Sequence, residues 1–364
     1  MKLVVTGGGT GGHVYPALEI ALAARDQGHD VAYFGSLRGQ EGKACEKDNV
    51  PFRGLASEPV YSLRTPRGWR SLIRLVQATH EAQKLLREHR PDVVFATGGY
   101  SSAPLIRAAR SLRIPYVLHE QNTIPGRSTR LWCQEAFAVG LVFASAASYF
   151  PGARTERVGM PIRRQLRSSA QGRLNFDQPL PGSVPTLLVV GGSQGAVALN
   201  DVALATAVRM AREPLHWLHV TGHGHFDATM KSLAKLGLGE HYDVKSYLDA
   251  GAMATAYFGA SLVICRAGAG TMAELAAFRK PSILVPYPHS FADHQRKNAE
   301  EFEAMGASLM IDQEALDAST LESRIRLWLH ESDRSERAAT ALAEWDVPDS
   351  ITRIMTLLES ASKS

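Results

Sequence analysis

The stretch Gly7-Gly8-Gly9-Thr10-Gly11-Gly12-His13 joins an apolar, β-branched run to a helical pattern. A strand that ends in glycines before a helix gathers backbone N–H groups and the positive end of the helix dipole, and the missing side chains let an anion approach. His13 stands at that helix start, where the dipole disfavours the imidazolium, so a neutral ring suited to general base chemistry is expected. The alternative is a histidine that only braces the loop. Four further clusters share this loop character: GGSQGA at 191–196, His119-Glu120-Gln121-Asn122, Arg266–Glu274 (RAGAGTMAE), and the segment 286–295 with His289, Asp293, His294 and Gln295. Glu274 is expected in the first turn of a helix, either capping it or offering paired acceptors to vicinal ribose hydroxyls.

The glycines at 7, 9 and 12 satisfy G-x-G-x-x-G, yet a nicotinamide dinucleotide also needs an acid closing the second strand. Here that strand ends Phe34-Gly35-Ser36, and no carboxylate appears before Glu41. A P-loop lysine follows neither glycine loop, HEQN is not the H-E-x-x-H of zinc proteases, and no D-x-D triplet occurs. Neither a cofactor nor a fixed metal is implied.

These loops need strands and helices to hold them. Strand patterns fall at 2–6, 30–34, 92–97, 116–119 and 138–143, with helical patterns at 14–27, 69–89 and 101–112 between them. Such alternation predicts βαβ units and parallel sheets. Residues 164–185 are polar and rich in Gly and Pro, and read as a linker. The pattern then restarts with strands at 186–190, 217–221, 261–265, 282–285 and 308–311. Residues 348–358 place Ile351, Ile354, Met355 and Leu358 on one helical face that must pack on something.

The bulk properties suit two domains in 364 residues. There is no apolar run of transmembrane length and no leader-like start. Cys45, Cys133 and Cys265 lie far apart, which fits a reducing cytoplasm rather than a disulfide framework or a zinc site. The net charge of +4 is uneven: residues 1–163 carry 21 Lys and Arg against 13 Asp and Glu, a net of +8. A basic first half suits an anionic partner, whether nucleic acid, membrane or phosphorylated substrate.

Taken in order, GGTGGHVYPAL (8–18), GGYSSAP (98–104), HEQNTIPG (119–126), VGMPIR (158–163), GGSQGA (191–196), RAGAGTMAEL (266–275), VPYP (285–288) and DHQRKNA (293–299) resemble the MurG family. These are bacterial transferases that move N-acetylglucosamine from UDP-N-acetylglucosamine to undecaprenyl-diphospho-MurNAc-pentapeptide, forming peptidoglycan's lipid II. The resemblance implies an α/β GT-B fold, two Rossmann-like parallel-sheet domains facing across a cleft. The first would be an acceptor and membrane domain over 1–162, with a C-terminal helix at 346–364 packing back on it. The second, 163–345, would bind the donor.

By motif match the resemblance assigns roles. Ser193 and Arg163 would hold the diphosphate, Leu248 would meet uracil, and Ala269, Gly270 and Thr271 the nucleotide phosphates. Glu274 would take the ribose hydroxyls, and Gln295 and Asn122 the sugar hydroxyls. Thr10, Gly11 and Gly12 would line the sugar and acceptor side with Tyr100 and Glu120, and His13 would be the base of an inverting transfer to the C4 hydroxyl. The pattern is broken at Met160, where the family usually has Asn, and at Arg127 and Thr129, where Leu and Asn are common.

A lipid acceptor gives the basic half a target. In LRTPRGWRSLIRLV (63–76), Trp69, Leu72, Ile73 and Val76 share one helical face and Arg67, Arg70 and Arg74 another, the pattern of an interfacial segment on an anionic membrane. The alternative is a helix packed on its own core with its arginines in water. A peripheral enzyme on the cytoplasmic face of the inner membrane is expected, with UDP-N-acetylglucosamine and lipid I as partners and no nucleic acid. The rival readings are a glycolipid synthase using another UDP-sugar, a UDP-N-acetylglucosamine 2-epimerase, and a non-catalytic membrane scaffold.

Overall fold

In a computed structural model of the chain, residues 1–62, 64–172, 184–192 and 195–364 are described, the side chain of Ser332 excepted. The chain forms two compact units: Met1–Arg163 together with Val347–Ser364, and Arg164–Asp346.

The first unit opens with β1 (Lys2–Thr6), α1 (Gly11–Asp26), β2 (Asp30–Ser36), α2 (Glu41–Lys47) and β3 (Phe52–Leu55). It continues with α3 (Pro66–His89), β4 (Val93–Ala96), α4 (Ser102–Ser111), β5 (Tyr116–Glu120), α5 (Arg127–Trp132), β6 (Ala138–Leu141) and β7 (Thr155–Arg157). The strands pair in parallel in the order β3-β2-β1-β4-β5-β6-β7. The order reverses between β1 and β4, which makes their C-terminal ends the crevice where such sheets bind ligands.

In the second unit α6 (Arg164–Gly172), β8 (Thr186–Val190), α7 (Val197–Arg209), β9 (His216–Val220), α8 (Phe226–Leu236), β10 (Tyr242–Lys245) and α9 (Ala250–Gly259) come first. Then follow β11 (Ala260–Cys265), α10 (Ala269–Ala277), β12 (Ser282–Leu284), α11 (His294–Ala304), β13 (Ser308–Met310), α12 (Ala318–His330) and α13 (Ser332–Trp345). This parallel sheet runs β10-β9-β8-β11-β12-β13, with its reversal between β8 and β11. Both units therefore repeat one plan, and in each a glycine loop leaves the first strand beside the switch point.

The sheet faces explain the sequence pattern. Leu3 and Val5 face the core shared with α1, while Val4, between them, faces the core under α3 and α4. A strand buried on both faces reads as a continuous apolar run. The final helix, α14 (Ser350–Ala361), completes the first unit: Ile354, Met355, Leu357, Leu358 and Ala361 enter the α1 core. Ser350 Oγ donates to the Met160 carbonyl at 3.1 Å, and Gly159 (φ 73°) lies against Val347, where a Cβ would come within 2.4 Å of that side chain.

Three strands have no counterpart in the sequence expectations. β3, β7 and β10 are short and carry charged or glycine residues, and each is laid against a stronger neighbour. The expected linker is also corrected in part. Residues 164–172 are helical, with Leu166 and Arg167 buried, and the linker reading over 173–183 lies outside the described residues. Arg167 donates to both carboxylate oxygens of Asp346, at 2.5 and 2.9 Å, inside the second unit.

Candidate active site

The first unit's loop is glycine because its backbones nearly touch. A Cβ on Gly99 (φ 80°) would lie 2.0 Å from the Gly8 carbonyl, and one on Gly9 (φ 89°) 2.9 Å from the Tyr100 ring. Gly8 N donates to Gly98 O at 3.3 Å, and Thr97 Oγ1 donates to the His13 carbonyl at 2.7 Å, lacing the β1 and β4 loops together. Thr10 is the N-cap of α1 in an extended conformation, but its side chain makes no capping bond. Its hydroxyl lies instead 3.1 Å from Nδ1 of His13. Pro16 has no N–H, so the Gly12 carbonyl lacks its donor four residues on. The start of α1 thus gathers backbone N–H groups and a half-buried imidazole on one edge.

The loop after β5 is organised by Glu120. This carboxylate is 2 % exposed and accepts from Asn122 N at 3.1 Å and Gly126 N at 3.0 Å, and also from the Thr129 and Asn122 side chains. Burial holds its pKa above the ordinary value despite these bonds. Glu120 was expected to face the acceptor; it is an internal brace for the loop that presents Asn122. Thr129, one of the departures from the family pattern, supplies part of that brace. His119 is likewise internal. Its Nε2 lies 2.9 Å from the Gly159 carbonyl and its Nδ1 3.0 Å from Gln121 Nε2, and burial lowers its pKa to about 4.

In the second unit, Gly268 is the N-cap of α10, so Ala269, Gly270 and Thr271 form its first turn. A Cβ on Gly268 or Gly270 would meet nothing within 4 Å, so these glycines are not required by internal packing and leave room in front of the helix. Glu274 stands in the second turn, not the first as expected, so it does not cap the helix. Its Oε2 accepts from the Tyr257 hydroxyl of α9 at 2.9 Å. Gln295, in the first turn of α11, accepts through Oε1 from Tyr287 N at 3.0 Å. Two consecutive left-handed residues, Ala292 (φ 50°) and Asp293 (φ 59°), turn the chain into that helix, a strained arrangement of the kind that collects at functional loops.

Leu248 follows Tyr247, whose ring is 53 % exposed and stacks on His223 at 5.3 Å. Arg163 is half-buried at the end of the first unit's main segment. Ser193 lies outside the described residues, as does Leu63.

Two residues in the second unit matter that sequence reasoning had given no role. Tyr257 looks like an ordinary core tyrosine from its apolar surroundings. Arg266 fixes the neighbouring loop: it donates to the Val285 and Pro286 carbonyls at 3.1 and 3.2 Å and to Gln313 Oε1 at 2.6 Å. Its place between a strand end and a glycine turn was the available signal.

The basic segment forms the start of α3. The small residues Gly68, Ser71, Ala78, Thr79 and Ala82 face the protein, while Trp69 and Ile73 are 59 % and 58 % exposed and Val76 38 %. Leu72 is half-buried. A helix packed only on its own core would show the opposite arrangement. The arginines are not equivalent: Arg74 is paired with Glu58 at 2.6 Å, and Arg67 lies over the Tyr61 ring at 3.9 Å. Among the described residues no helix is long and apolar enough to cross a membrane, and no cluster of three His, Cys, Asp or Glu could hold a metal ion.

Two parallel sheets with reversed order, each with glycine loops at its switch point, form the two-domain architecture of the GT-B class, and sequence comparison makes the chain a glycosyltransferase of that class. The family models agree: residues 3–140 match the glycosyltransferase family 28 N-terminal domain and residues 186–354 the glycosyltransferase family 28 C-terminal domain. A Halothermothrix orenii protein named UDP-N-acetylglucosamine--N-acetylmuramyl-(pentapeptide) pyrophosphoryl-undecaprenol N-acetylglucosamine transferase is 34 % identical, covering 100 % of both chains. The Syntrophotalea carbinolica protein of the same name is 37 % identical over 97 % of this chain and 98 % of its own. The crystal structure of Acinetobacter baumannii MurG superposes with a TM-score of 0.79 at 27 % identity, covering 99 % of this chain and 100 % of that one. The chain belongs to this MurG transferase family.

Proposed function

We propose that the protein transfers N-acetylglucosamine from UDP-N-acetylglucosamine to the C4 hydroxyl of MurNAc in undecaprenyl-diphospho-MurNAc-pentapeptide, with inversion at the anomeric carbon. The observation that carries the reading is the open start of α10, with the Tyr257-held Glu274 carboxylate one turn beyond it. A helix N-terminus with empty space before it suits a diphosphate, and a braced carboxylate suits two adjacent ribose hydroxyls.

The second unit is then the donor domain. Ala269, Gly270 and Thr271 meet the phosphates, joined by Ser193 and Arg163, and Leu248 borders the base. Gln295 has its amide oxygen occupied by Tyr287 N, so its NH₂ group is the one to meet a sugar hydroxyl, whereas Asn122, whose NH₂ group serves Glu120, offers its amide oxygen to the sugar. His13 takes the acceptor proton: with Nδ1–H toward Thr10, Nε2 carries the lone pair. As the bond to UDP breaks, negative charge grows on the diphosphate, and each fixed donor there contributes about 3–4 kcal/mol. The exposed apolar start of α3 supports a position for the enzyme on the cytoplasmic face of the membrane that holds its lipid acceptor.

The test is turnover of UDP-N-acetylglucosamine with lipid I, for the wild-type chain and for His13→Ala. Formation of the disaccharide lipid by the wild type alone supports the reading. Interconversion of free UDP-sugars without lipid product identifies an epimerase, and transfer of a different UDP-sugar to a diacylglycerol lipid identifies a glycolipid synthase.

A further inference from the structure

Behind the second glycine loop lies a chain of three buried side chains with no part in the site described above: Tyr242 on β10, His219 on β9 and Asn200 on α7, exposed by 4 %, 0 % and 2 %. The Tyr242 hydroxyl is 2.8 Å from His219 Nδ1, and His219 Nε2 is 3.0 Å from Asn200 Oδ1. Asn200 Nδ2 donates to the Thr221 carbonyl at 3.3 Å. These contacts fix the proton positions. Because the amide NH₂ group is turned to a carbonyl, Asn200 presents its oxygen to the ring, so Nε2 carries the hydrogen. Nδ1 then accepts, and the tyrosine donates. Burial lowers the His219 pKa to about 4, which keeps the ring neutral and this pattern defined.

The chain ends on the loop. Asn200 Oδ1 lies 3.3 Å from where a Cβ of Gly191 would sit, and Asn200 N donates to the Ala196 carbonyl at 2.9 Å. The Thr221 carbonyl that Asn200 holds is also the surface against which Gly195 (φ 75°) packs, where a Cβ would come within 2.7 Å. Asn200 therefore touches the first glycine of the loop and secures the strand end that supports the last one.

We propose that Tyr242, His219 and Asn200 are positioning residues for the diphosphate-binding loop: the phenol holds the imidazole, the imidazole holds the amide, and the amide holds the described ends of the loop, Gly191–Gly192 and Gly195–Ala196. Without the phenol, Nδ1 loses its donor and the ring is held from the Asn200 side alone. The ring and the amide it bonds are then less firmly fixed, and the loop ends with them. The inference rests on the reading of the second unit as the UDP-sugar domain.

The experiment measures UDP binding to the full chain by calorimetry, together with kcat and KM for UDP-N-acetylglucosamine, for Tyr242→Phe, Asn200→Ala and the double variant. Tyr242→Phe removes one hydroxyl and keeps the ring that stacks on Trp217. The expected result is UDP binding weakened about threefold to tenfold, the scale of one lost hydrogen bond, a matching rise in KM, and a smaller change in kcat. The double variant should bind no more weakly than Asn200→Ala, because a relay already broken at its end gains nothing from a second break. A merely structural role predicts lower thermal stability with UDP affinity intact in the folded fraction. That result, or additive losses in the double variant, overturns the proposal. Should Asn200→Ala fail to fold, Asn200→Asp takes its place: it keeps the acceptor for His219, sets a second oxygen against the Thr221 carbonyl, and should weaken UDP binding alone. A wild-type chain that binds no UDP overturns the donor-domain reading itself, before any variant is compared.

Discussion

The Thr10 hydroxyl stands 3.1 Å from Nδ1 of His13, so the N-cap residue of α1 serves the imidazole instead of its own helix. Removing the ring and removing its partner should therefore differ. His13→Ala should lower kcat by about 10²–10⁴, the range for a lost general base, with little change in UDP affinity. Thr10→Ala should cost much less and act on kcat in the same direction. Steady-state kinetics with saturating lipid acceptor separates the two. Near-normal turnover in His13→Ala would remove it from the mechanism.

Glu274 and Tyr257 should act as a pair. Glu274→Gln keeps the shape but loses the carboxylate's paired acceptors, and Tyr257→Phe loses the bond that aims it. Each should raise KM for UDP-N-acetylglucosamine, Glu274→Gln about tenfold or more and Tyr257→Phe about threefold. Discrimination between UDP and 2′-deoxy-UDP should shrink in both variants, and competition by the two nucleotides measures it.

The start of α3 yields a binding prediction. Trp69 and Ile73 each expose a large apolar surface, and burying such a side chain contributes about 1.5–3 kcal/mol. Ile73→Glu and Trp69→Glu should each lower the protein's partition onto anionic vesicles at least tenfold without altering its melting temperature. Arg70→Gln should weaken the binding more than Arg74→Gln, because Glu58 already neutralises Arg74. Vesicle sedimentation at two salt concentrations reads both effects.

Each unit holds one buried neutral histidine, His119 and His219, whose pKa is lowered to about 4 from an ordinary 6.5. Below the unfolded value the unfolded chain takes up protons that the folded chain refuses, so stability falls as pH falls. The contribution is complete above about pH 6.5 and is lost progressively toward about pH 4, to a limit of about 3 kcal/mol per histidine. Urea unfolding at neutral pH and at about pH 5 should show this loss in both units. A flat profile would contradict the neutral assignment on which the hydrogen bond from Tyr242 to His219 Nδ1 depends.

Much of this was legible in the sequence because both sheets are buried on two faces. Runs such as Leu3-Val4-Val5 and Leu187-Leu188-Val189 have no other stable use, and the glycines behind them mark the ligand edge. β10 escaped notice because Tyr242, Asp243, Val244 and Lys245 alternate only weakly and gain their place from β9. Candidate residues stood out where a motif marks them, as with His13 after its glycines and Gln295 in DHQRKNA. The site was not legible where the meaning is a contact between distant positions. Nothing local distinguishes Glu120, which serves its own loop, from Glu274, which is held by a tyrosine seventeen positions back. The exposed face of α3 was visible as a pattern, but which face met water depended on Gly68, Ser71 and Ala78 packing inward.

The return of α14 to the first unit sets an order of assembly on the ribosome. Residues 164–346 are contiguous and hold a core of their own, so the second unit can fold as soon as it has emerged. The first unit is begun earlier yet lacks Ile354, Met355 and Leu358 until after its neighbour has been made. During that interval the α1 surface that α14 will cover is bare and apolar, the kind of exposed surface on which folding intermediates aggregate. The first unit thus reaches its final form only after the second is already in place.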